Sequence, residues 1–146
     1  MIRVAGWLIF AALLLTAGGC GPARIYLNVQ RDVNPDIHGR PSPVVLRMYE
    51  LKSLSAFNGA DFFSLYEKDQ GTLGSDMLAR EEFFLRPGEK REFKRKLQDD
   101  TRFVAVVAAF RDWEHSQWRS SMPVTPGRRA TVVVTLEGKK VTVAAK

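Results

Sequence analysis

The sequence has few of the side chains from which catalytic and metal sites are built. It contains one cysteine and two histidines in 146 residues, and neither His38 nor His115 has metal-ligand partners at a regular spacing. A glycine-rich phosphate-binding motif is also missing. Asp112, His115 and Ser116 are neighbours in the sequence, whereas a nucleophilic triad usually draws its members from separate elements. The sequence therefore predicts a protein that is not an enzyme and has no cofactor or metal.

The single cysteine, Cys20, excludes an intramolecular disulfide and stands at a distinctive position. Arg3 precedes an apolar run at residues 7–15, and the small residues 17–19 lead directly to Cys20. A positive start, a short apolar run and small residues are typical of a bacterial secretory signal. The run is far shorter than the ~20 residues of a membrane-spanning helix.

The cysteine at this point resembles a lipobox, whose thiol receives a diacylglycerol before cleavage. We therefore predict a signal peptide at residues 1–19 and acyl chains such as palmitate on Cys20. The alternative is an ordinary signal peptide in which this cysteine has no role. Two or three acyl chains would make membrane attachment stable. Gly21 follows the cysteine, where Asp tends to retain lipoproteins at the inner membrane of Gram-negative bacteria. The predicted location is therefore the outer membrane, facing the periplasm.

Basic residues outnumber acidic ones, giving a net charge of +6. They are interleaved with acids rather than gathered on one helix, and a periplasmic protein meets little nucleic acid. We therefore expect no nucleic-acid binding. The densest run, residues 90–96, could touch anionic lipid headgroups. An edge strand whose charges discourage aggregation is the favoured interpretation, because Glu89 and Glu92 dilute the field.

Residues 20–146 have a length typical of one domain. Strand-like patterns occur at residues 24–30, 44–51, 77–86, 89–97, 103–110, 130–136 and 140–144. The apolar run at 103–110 predicts a central strand buried on both faces. About seven strands with short connections predict an all-β fold, an antiparallel β-sandwich.

A small helical insert is predicted at about residues 53–75, where the apolar period changes from two to that of a helix. Ser53 and Asp61 stand where helix N-caps would be. The aromatic residues of the insert either form a docking patch or, as we favour, pack over the sandwich. They are Phe57, Phe62, Phe63 and Tyr66.

The segment at residues 31–42 is predicted to be a long, stiffened loop, because it contains Asn34-Pro35 and Gly39. Val33 and Ile37 have no obvious core to join, while Asp36 and Arg40 supply charge. A stiff loop loses less entropy on binding, which favours a recognition role. A simple surface connection is the alternative.

Several stretches together resemble one family, TssJ (SciN/VasD), the outer-membrane lipoprotein of the type VI secretion system. Residues 39–51 are the most specific of them. The others are the lipobox at Cys20, residues 27–29 and 34–36, Phe57, and residues 60–62, 73–74, 85–88 and 104–112.

The resemblance implies a transthyretin-like sandwich and a structural role. Such a lipoprotein ties the secretion complex to the outer membrane by binding the periplasmic C-terminal domain of the inner-membrane component TssM. The family's docking loop corresponds here to Asp32, Val33, Asn34, Pro35, Asp36, Ile37, His38, Gly39 and Arg40. The alternative is a periplasm-facing lipoprotein with another role, in envelope assembly or small-ligand binding.

Overall fold

The computed structural model describes residues 21–146, so the predicted signal peptide and Cys20 lie outside the described residues. Eight strands form two four-stranded sheets. The strands are β1 (Ala23–Val29), β2 (Val44–Leu51), β3 (Met77–Leu85), β4 (Lys90–Arg95), β5 (Phe103–Ala109), β6 (Arg119–Pro123), β7 (Thr131–Glu137) and β8 (Lys140–Ala145). Sheet I has the order β4-β1-β7-β8 and sheet II the order β3-β2-β5-β6. The predicted β-sandwich with a small helical insert is confirmed.

Two features of the sheets differ from the sequence prediction. The strand β6 had no counterpart among the predicted strands, because it contains three polar residues and a proline, and Met122 is its one buried residue. Its partner is β5, which it extends by antiparallel pairing. The second feature is a parallel pair, β1 with β7, inside sheet I. The sandwich is therefore antiparallel except at this pair.

The main core lies between the sheets and consists of the inward-facing residues of both. Ile25 and Leu27 of β1 meet Leu46 of β2 and Val106 of β5 in one buried cluster. The central strand β5 is buried on both faces, as predicted, because its alternate residues Ala105 and Val107 face away from this core into a second cluster.

That second cluster lies under the helical insert, which covers the outer face of sheet II. The insert contains α1 (Ser55–Gly59), α2 (Phe62–Glu67), α3 (Asp69–Leu73) and a 3-10 turn, Gly74–Asp76. The predicted packing of the aromatic residues over the sandwich is confirmed for Phe57 and Phe62, which are buried. Tyr66 is half-buried, and Phe63 is 46% exposed. Phe62 stacks on Trp113, a residue outside the insert, at a ring distance of 5.3 Å.

The helix caps follow the sequence only in part. Asp61 caps α2 by accepting a hydrogen bond from the backbone N–H of Ser64 at 2.8 Å, as predicted. The Ser53 prediction is wrong, because Leu54 occupies the N-cap of α1 and makes no side-chain cap. The Ser53 hydroxyl accepts a bond from the N–H of Ser55 at 3.2 Å instead.

A buried group of charges fastens the insert to sheet II. Asp69, only 5% exposed, accepts hydrogen bonds from Arg80 at 2.5 Å and from Tyr49 at 3.2 Å. Arg47 lies 3.3 Å from the same carboxylate and pairs with Glu82 at 2.7 Å. Because every charge here has a partner, the polar layer is compatible with burial.

Strand direction gives the domain two ends. β1 starts at Ala23, close to the predicted attachment site at Cys20, and ends at Val29. We call the end of the domain at which β1 starts the anchor pole. In sheet I, β7 runs parallel to β1 and β4 runs antiparallel to it, and in sheet II β3 and β5 run antiparallel to β2. These directions determine which loops lie at each end of the domain. The anchor pole holds residues 21–22, 96–102 and 124–130. The opposite end, the distal pole, holds residues 30–43, 86–89 and 110–118 and the turn at 138–139. No helix within residues 21–146 is long and apolar enough to cross a membrane.

Candidate docking loop and anchor pole

The 31–42 loop is anchored to the distal pole by residues that the sequence had assigned to partner contact. Val33 is 0% exposed and belongs to the main core, so the prediction that it has no core to join is wrong. The chain turns back across the end of the sandwich directly after β1, and this places the Val33 side chain between the sheets. Val33 therefore positions the loop and does not face a partner.

Asn34 is also buried, at 3% exposure, and it fixes the root of the loop through both ends of its amide. The Nδ2 group donates to the carbonyl of Pro43 at 2.8 Å, and Oδ1 accepts from the backbone N–H of Arg111 at 2.8 Å. Its own N–H donates to the carbonyl of Gly138 at 2.8 Å. Asn34 has a φ of 50°, a conformation that Asn tolerates better than most residues. Asn34 thus also belongs to the support and not to the contact surface.

The tip of the loop is a compact turn organised by Asp36. Its Oδ1 accepts from the backbone N–H groups of His38 at 2.8 Å and of Arg40 at 3.0 Å. The Arg40 guanidinium donates to Oδ2 at 2.8 Å, and Gly39 completes the turn with a φ of 75°. The bond from the Arg40 N–H is the main reason why the pKa of Asp36 lies below its ordinary value.

The exposed surface of the loop has one apolar residue and several polar ones. Ile37 is 95% exposed, although burial of an isoleucine would be favourable. His38, Gly39 and Arg40 are exposed beside it, and Pro35 and Asp36 are half-buried. Asp32 is exposed at the root, where it accepts from the N–H of Gly138 at 3.1 Å. The structure therefore presents a pre-ordered turn with an apolar tip and flanking charge.

The sequence did not predict which residues outside the loop bind and fix it. The segment after β5 supplies the Arg111 N–H, and the β7–β8 turn supplies both backbone groups of Gly138. All of these groups are backbone atoms of segments distant in the sequence. Because any residue type has them, the sequence does not predict these contacts.

At the anchor pole, Gly21 is the first described residue. The guanidinium of Arg129 lies against it, so that a Cβ at Gly21 would stand 2.9 Å from Arg129 Nη2. Beside Gly21 opens a cavity of about 500 Å³ whose lining is mostly apolar. Since Cys20 precedes Gly21 by one peptide unit, this pole is where the predicted lipid attachment would emerge.

The charged run at residues 90–96 lies mainly in β4, an edge strand of sheet I, so the predicted edge position is confirmed. Arg95 reaches across to sheet II, where it pairs with Glu50 at 3.0 Å and with Glu81. Arg91 pairs with Glu89. Arg95 therefore links the two sheets, whereas the Arg91 pair is local.

The acid, histidine and serine at 112–116 lack the geometry of a nucleophilic triad. Ser116 donates its hydroxyl hydrogen to the carbonyl of Trp113 at 2.8 Å and not to the histidine. Asp112 binds Lys139 at 2.7 Å and His115 Nδ1 at 2.7 Å. Lys139 first and His115 second lower the pKa of Asp112. The group is a surface ion cluster beside the 31–42 loop.

Comparison with known proteins adds the context for these two poles. The family model described as "Type VI secretion lipoprotein, VasD, EvfM, TssJ, VC_A0113" matches residues 22–139. The solved lipoprotein TssJ1 from Pseudomonas aeruginosa is 38% identical with a TM-score of 0.81, and the match covers 86% of this chain and 98% of that one. A search among curated proteins gave no match.

Two further solved structures share the fold. Lip from Serratia marcescens, described as a membrane-bound component of the type VI secretion system, is 25% identical with a TM-score of 0.72. Its match covers 86% of this chain and 96% of that one. A chain from a type VI membrane complex is 24% identical with a TM-score of 0.73, and the match covers 84% of this chain and 97% of that one.

Proposed function

Since this chain belongs to the family of type VI secretion lipoproteins, we propose that it ties the secretion membrane complex to the outer membrane. In this proposal acyl chains on Cys20 hold the anchor pole at the membrane. The distal pole binds the periplasmic C-terminal domain of TssM. Family membership confirms the predictions that the chain is a structural lipoprotein of this system and not an enzyme.

The observation that carries the proposal is the position of the loop tip. Ile37 projects from the distal pole at 95% exposure, and Cys20 joins the chain at the opposite end of β1. A seven-residue strand spans roughly 20 Å, so a partner at the tip would not compete with the bilayer at the anchor. A tether needs this separation.

The loop is also built for binding at low entropic cost. Val33 and Asn34 fix its root and Asp36 fixes its tip, so the backbone is ordered before a partner arrives. An ordered loop loses little conformational entropy in a complex, and this improves affinity for a given contact area. Arg111, which is exposed beside the loop, can steer a partner of opposite charge.

The proposal is tested by co-purification from membranes. We expect the full-length lipoprotein to retain TssM when it is purified from detergent-solubilised outer membranes. An Ile37→Asp variant should still reach the membrane but should lose TssM and secretion. The control is Phe84→Asp, which changes another exposed apolar residue, 70% exposed, outside the loop. Equal retention of TssM by both variants would contradict docking through the loop.

A further inference from the structure

The anchor pole carries a group of basic side chains around an apolar cavity, and we propose that this pole binds anionic phospholipid of the membrane that holds the protein. The inference rests on the proposed attachment at Cys20. It adds a second, non-covalent membrane contact to the anchor.

The basic residues of the pole are gathered on two adjoining hollows. Arg128 lines both of them, Lys96 lines the wall of the apolar cavity, and Arg129 and Lys146 line the neighbouring groove. All four are exposed. None forms an ion pair with another of residues 21–146. Their charges are therefore available to an external anion.

The basic surface continues onto the outer face of sheet I. Arg24 of β1 and Lys94 of β4 are direct register partners there, and both are exposed. The exposed acids near the cavity are Asp99, which lines it, and Asp100, which follows in the same loop. Cations therefore outnumber acids at this pole, which favours an anionic surface as its partner.

The cavity supplies the apolar half of a phospholipid site. Its volume is about 500 Å³, within the usual range for small-molecule sites. Ala23, Leu97, Val124 and Pro126 are among its lining residues. Such a surface fits hydrocarbon, while the guanidinium of Arg128 at the cavity suits the phosphate of the same lipid.

The wall of the cavity is held in place from inside the protein. Glu50 is 2% exposed and accepts hydrogen bonds from the N–H of Gln98 at 2.7 Å and from the Thr101 hydroxyl at 2.8 Å. These bonds fix the loop between β4 and β5, which carries Leu97 and Asp99. The cavity is thus preformed, as ligand sites usually are.

The position of the pole brings this chemistry to the lipid. Gly21 lines the cavity, and its Cα lies about 3.8 Å from that of the preceding residue. Acyl chains on Cys20 would therefore hold the cavity at headgroup depth. Combining acyl chains with a basic patch is a known physical route to stable membrane attachment.

The test uses residues 21–146, which contain every strand and both core clusters described above. The solved Pseudomonas chain has a similar extent, because the match covers 98% of that chain and 86% of this one. This fragment has no Cys20, so its binding to vesicles is independent of acylation and of TssM. We expect it to sediment with vesicles of phosphatidylethanolamine and phosphatidylglycerol, but not with phosphatidylcholine vesicles.

The decisive comparison is between two charge-matched triple variants. Lys96→Glu, Arg128→Glu and Arg129→Glu together should lower the vesicle partition coefficient at least about tenfold, given about 1 kcal/mol per basic residue near an anionic surface. The control changes Arg86, Lys90 and Arg111, which are exposed at or near the distal pole, to Glu. It should retain binding. Equal loss in both variants would show a dependence on net charge alone and would overturn the site.

Folding of each variant is checked by circular dichroism, and glutamine replaces glutamate if a glutamate variant unfolds. Thr125→Cys gives the fragment a unique thiol at the cavity for an environment-sensitive fluorophore. Its emission should shift to the blue on addition of phosphatidylglycerol vesicles. No shift with vesicles would overturn the site, as would a concentration-dependent shift without them, because a second copy would then cover the cavity.

Discussion

The Oδ1 atom of Asn34 accepts a hydrogen bond at 2.8 Å from the backbone N–H of Arg111, which lies 77 residues further along the chain. This contact joins the 31–42 loop to the segment that directly follows β5, an inner strand of sheet II. It explains why the loop stands as an ordered turn, although most of its residues are exposed.

Asn34→Ala should therefore destabilise the domain. The change leaves the Arg111 N–H and the Pro43 carbonyl without their partner, and a buried unsatisfied group costs about 1–3 kcal/mol. Chemical unfolding should show a loss within that range. Asn58→Ala, an exposed change on α1, is the matched control and should stay within about 0.5 kcal/mol. Asn34→Gly permits the positive φ and so separates backbone strain from the lost hydrogen bonds.

Acid should loosen the helical insert through Asp69. Burial by itself raises the pKa of this carboxyl, but hydrogen bonds and charges from Arg80 and Arg47 outweigh burial and hold the pKa below its ordinary value of 3.8. A group with a depressed pKa in the folded state stabilises the fold above its unfolded pKa and stops doing so as the pH falls through the folded value.

The stability difference between the native chain and Asp69→Asn should therefore be largest near neutral pH and shrink below about pH 4. Urea unfolding across this range measures it. Tyr49 does not titrate in the window, because burial raises its pKa to about 12. A difference that stayed constant down to pH 2 would contradict the ion pairing of Asp69.

Val106→Asp should be severely destabilising. Val106 is 0% exposed in the core between the sheets, and an unpaired buried carboxylate costs several kcal/mol. That is a large part of the ~5–15 kcal/mol that holds a typical domain together. Val133→Asp is the control, since Val133 is a half-buried valine of β7 that is not part of the main core. Thermal unfolding should separate the two variants clearly.

Cys20→Ser should remove the protein from the outer membrane while leaving the domain folded. Serine offers no thiol for the thioether-linked diacylglycerol, so the acyl chains and their binding energy are lost. Membrane fractionation and a secretion assay measure the effect. Stable recovery of the serine variant in outer-membrane vesicles would contradict attachment through this cysteine.

Much of the fold could be predicted from the sequence, because most strands follow local patterns of apolar and polar residues. The alternation in β1 and the apolar run of β5 report burial directly, and both strands appear where the patterns place them. The strand β6 was not predicted, because only Met122 of its five residues is buried. Its sequence therefore lacks the alternation of apolar and polar residues that is typical of a strand. The parallel contact of β1 with β7 is a pairing between distant segments, which no local pattern encodes.

In the 31–42 loop, too, local patterns predicted some features and not others. Its turn residues predicted a stiff loop, and Asp36 and Gly39 form the turn at its tip. The burial of the Val33 side chain could not be predicted, because it depends on how the chain folds back over the end of the sandwich. A Gly/Ser replacement of residues 33–38 would therefore remove a core valine as well as the tip, and only a shorter replacement tests binding cleanly.

The most direct test of tethering is calorimetry between residues 21–146 and the purified periplasmic C-terminal domain of TssM. Residues 36–40 are replaced by a Gly/Ser linker, with Val33 and Asn34 left in place. The control replaces residues 126–128 at the anchor pole in the same way. We predict a loss of at least about 2 kcal/mol of binding free energy, roughly thirtyfold in Kd, for the tip variant alone. Unchanged affinity in a folded tip variant would contradict the account and move the interface to a sheet face or to the helical insert.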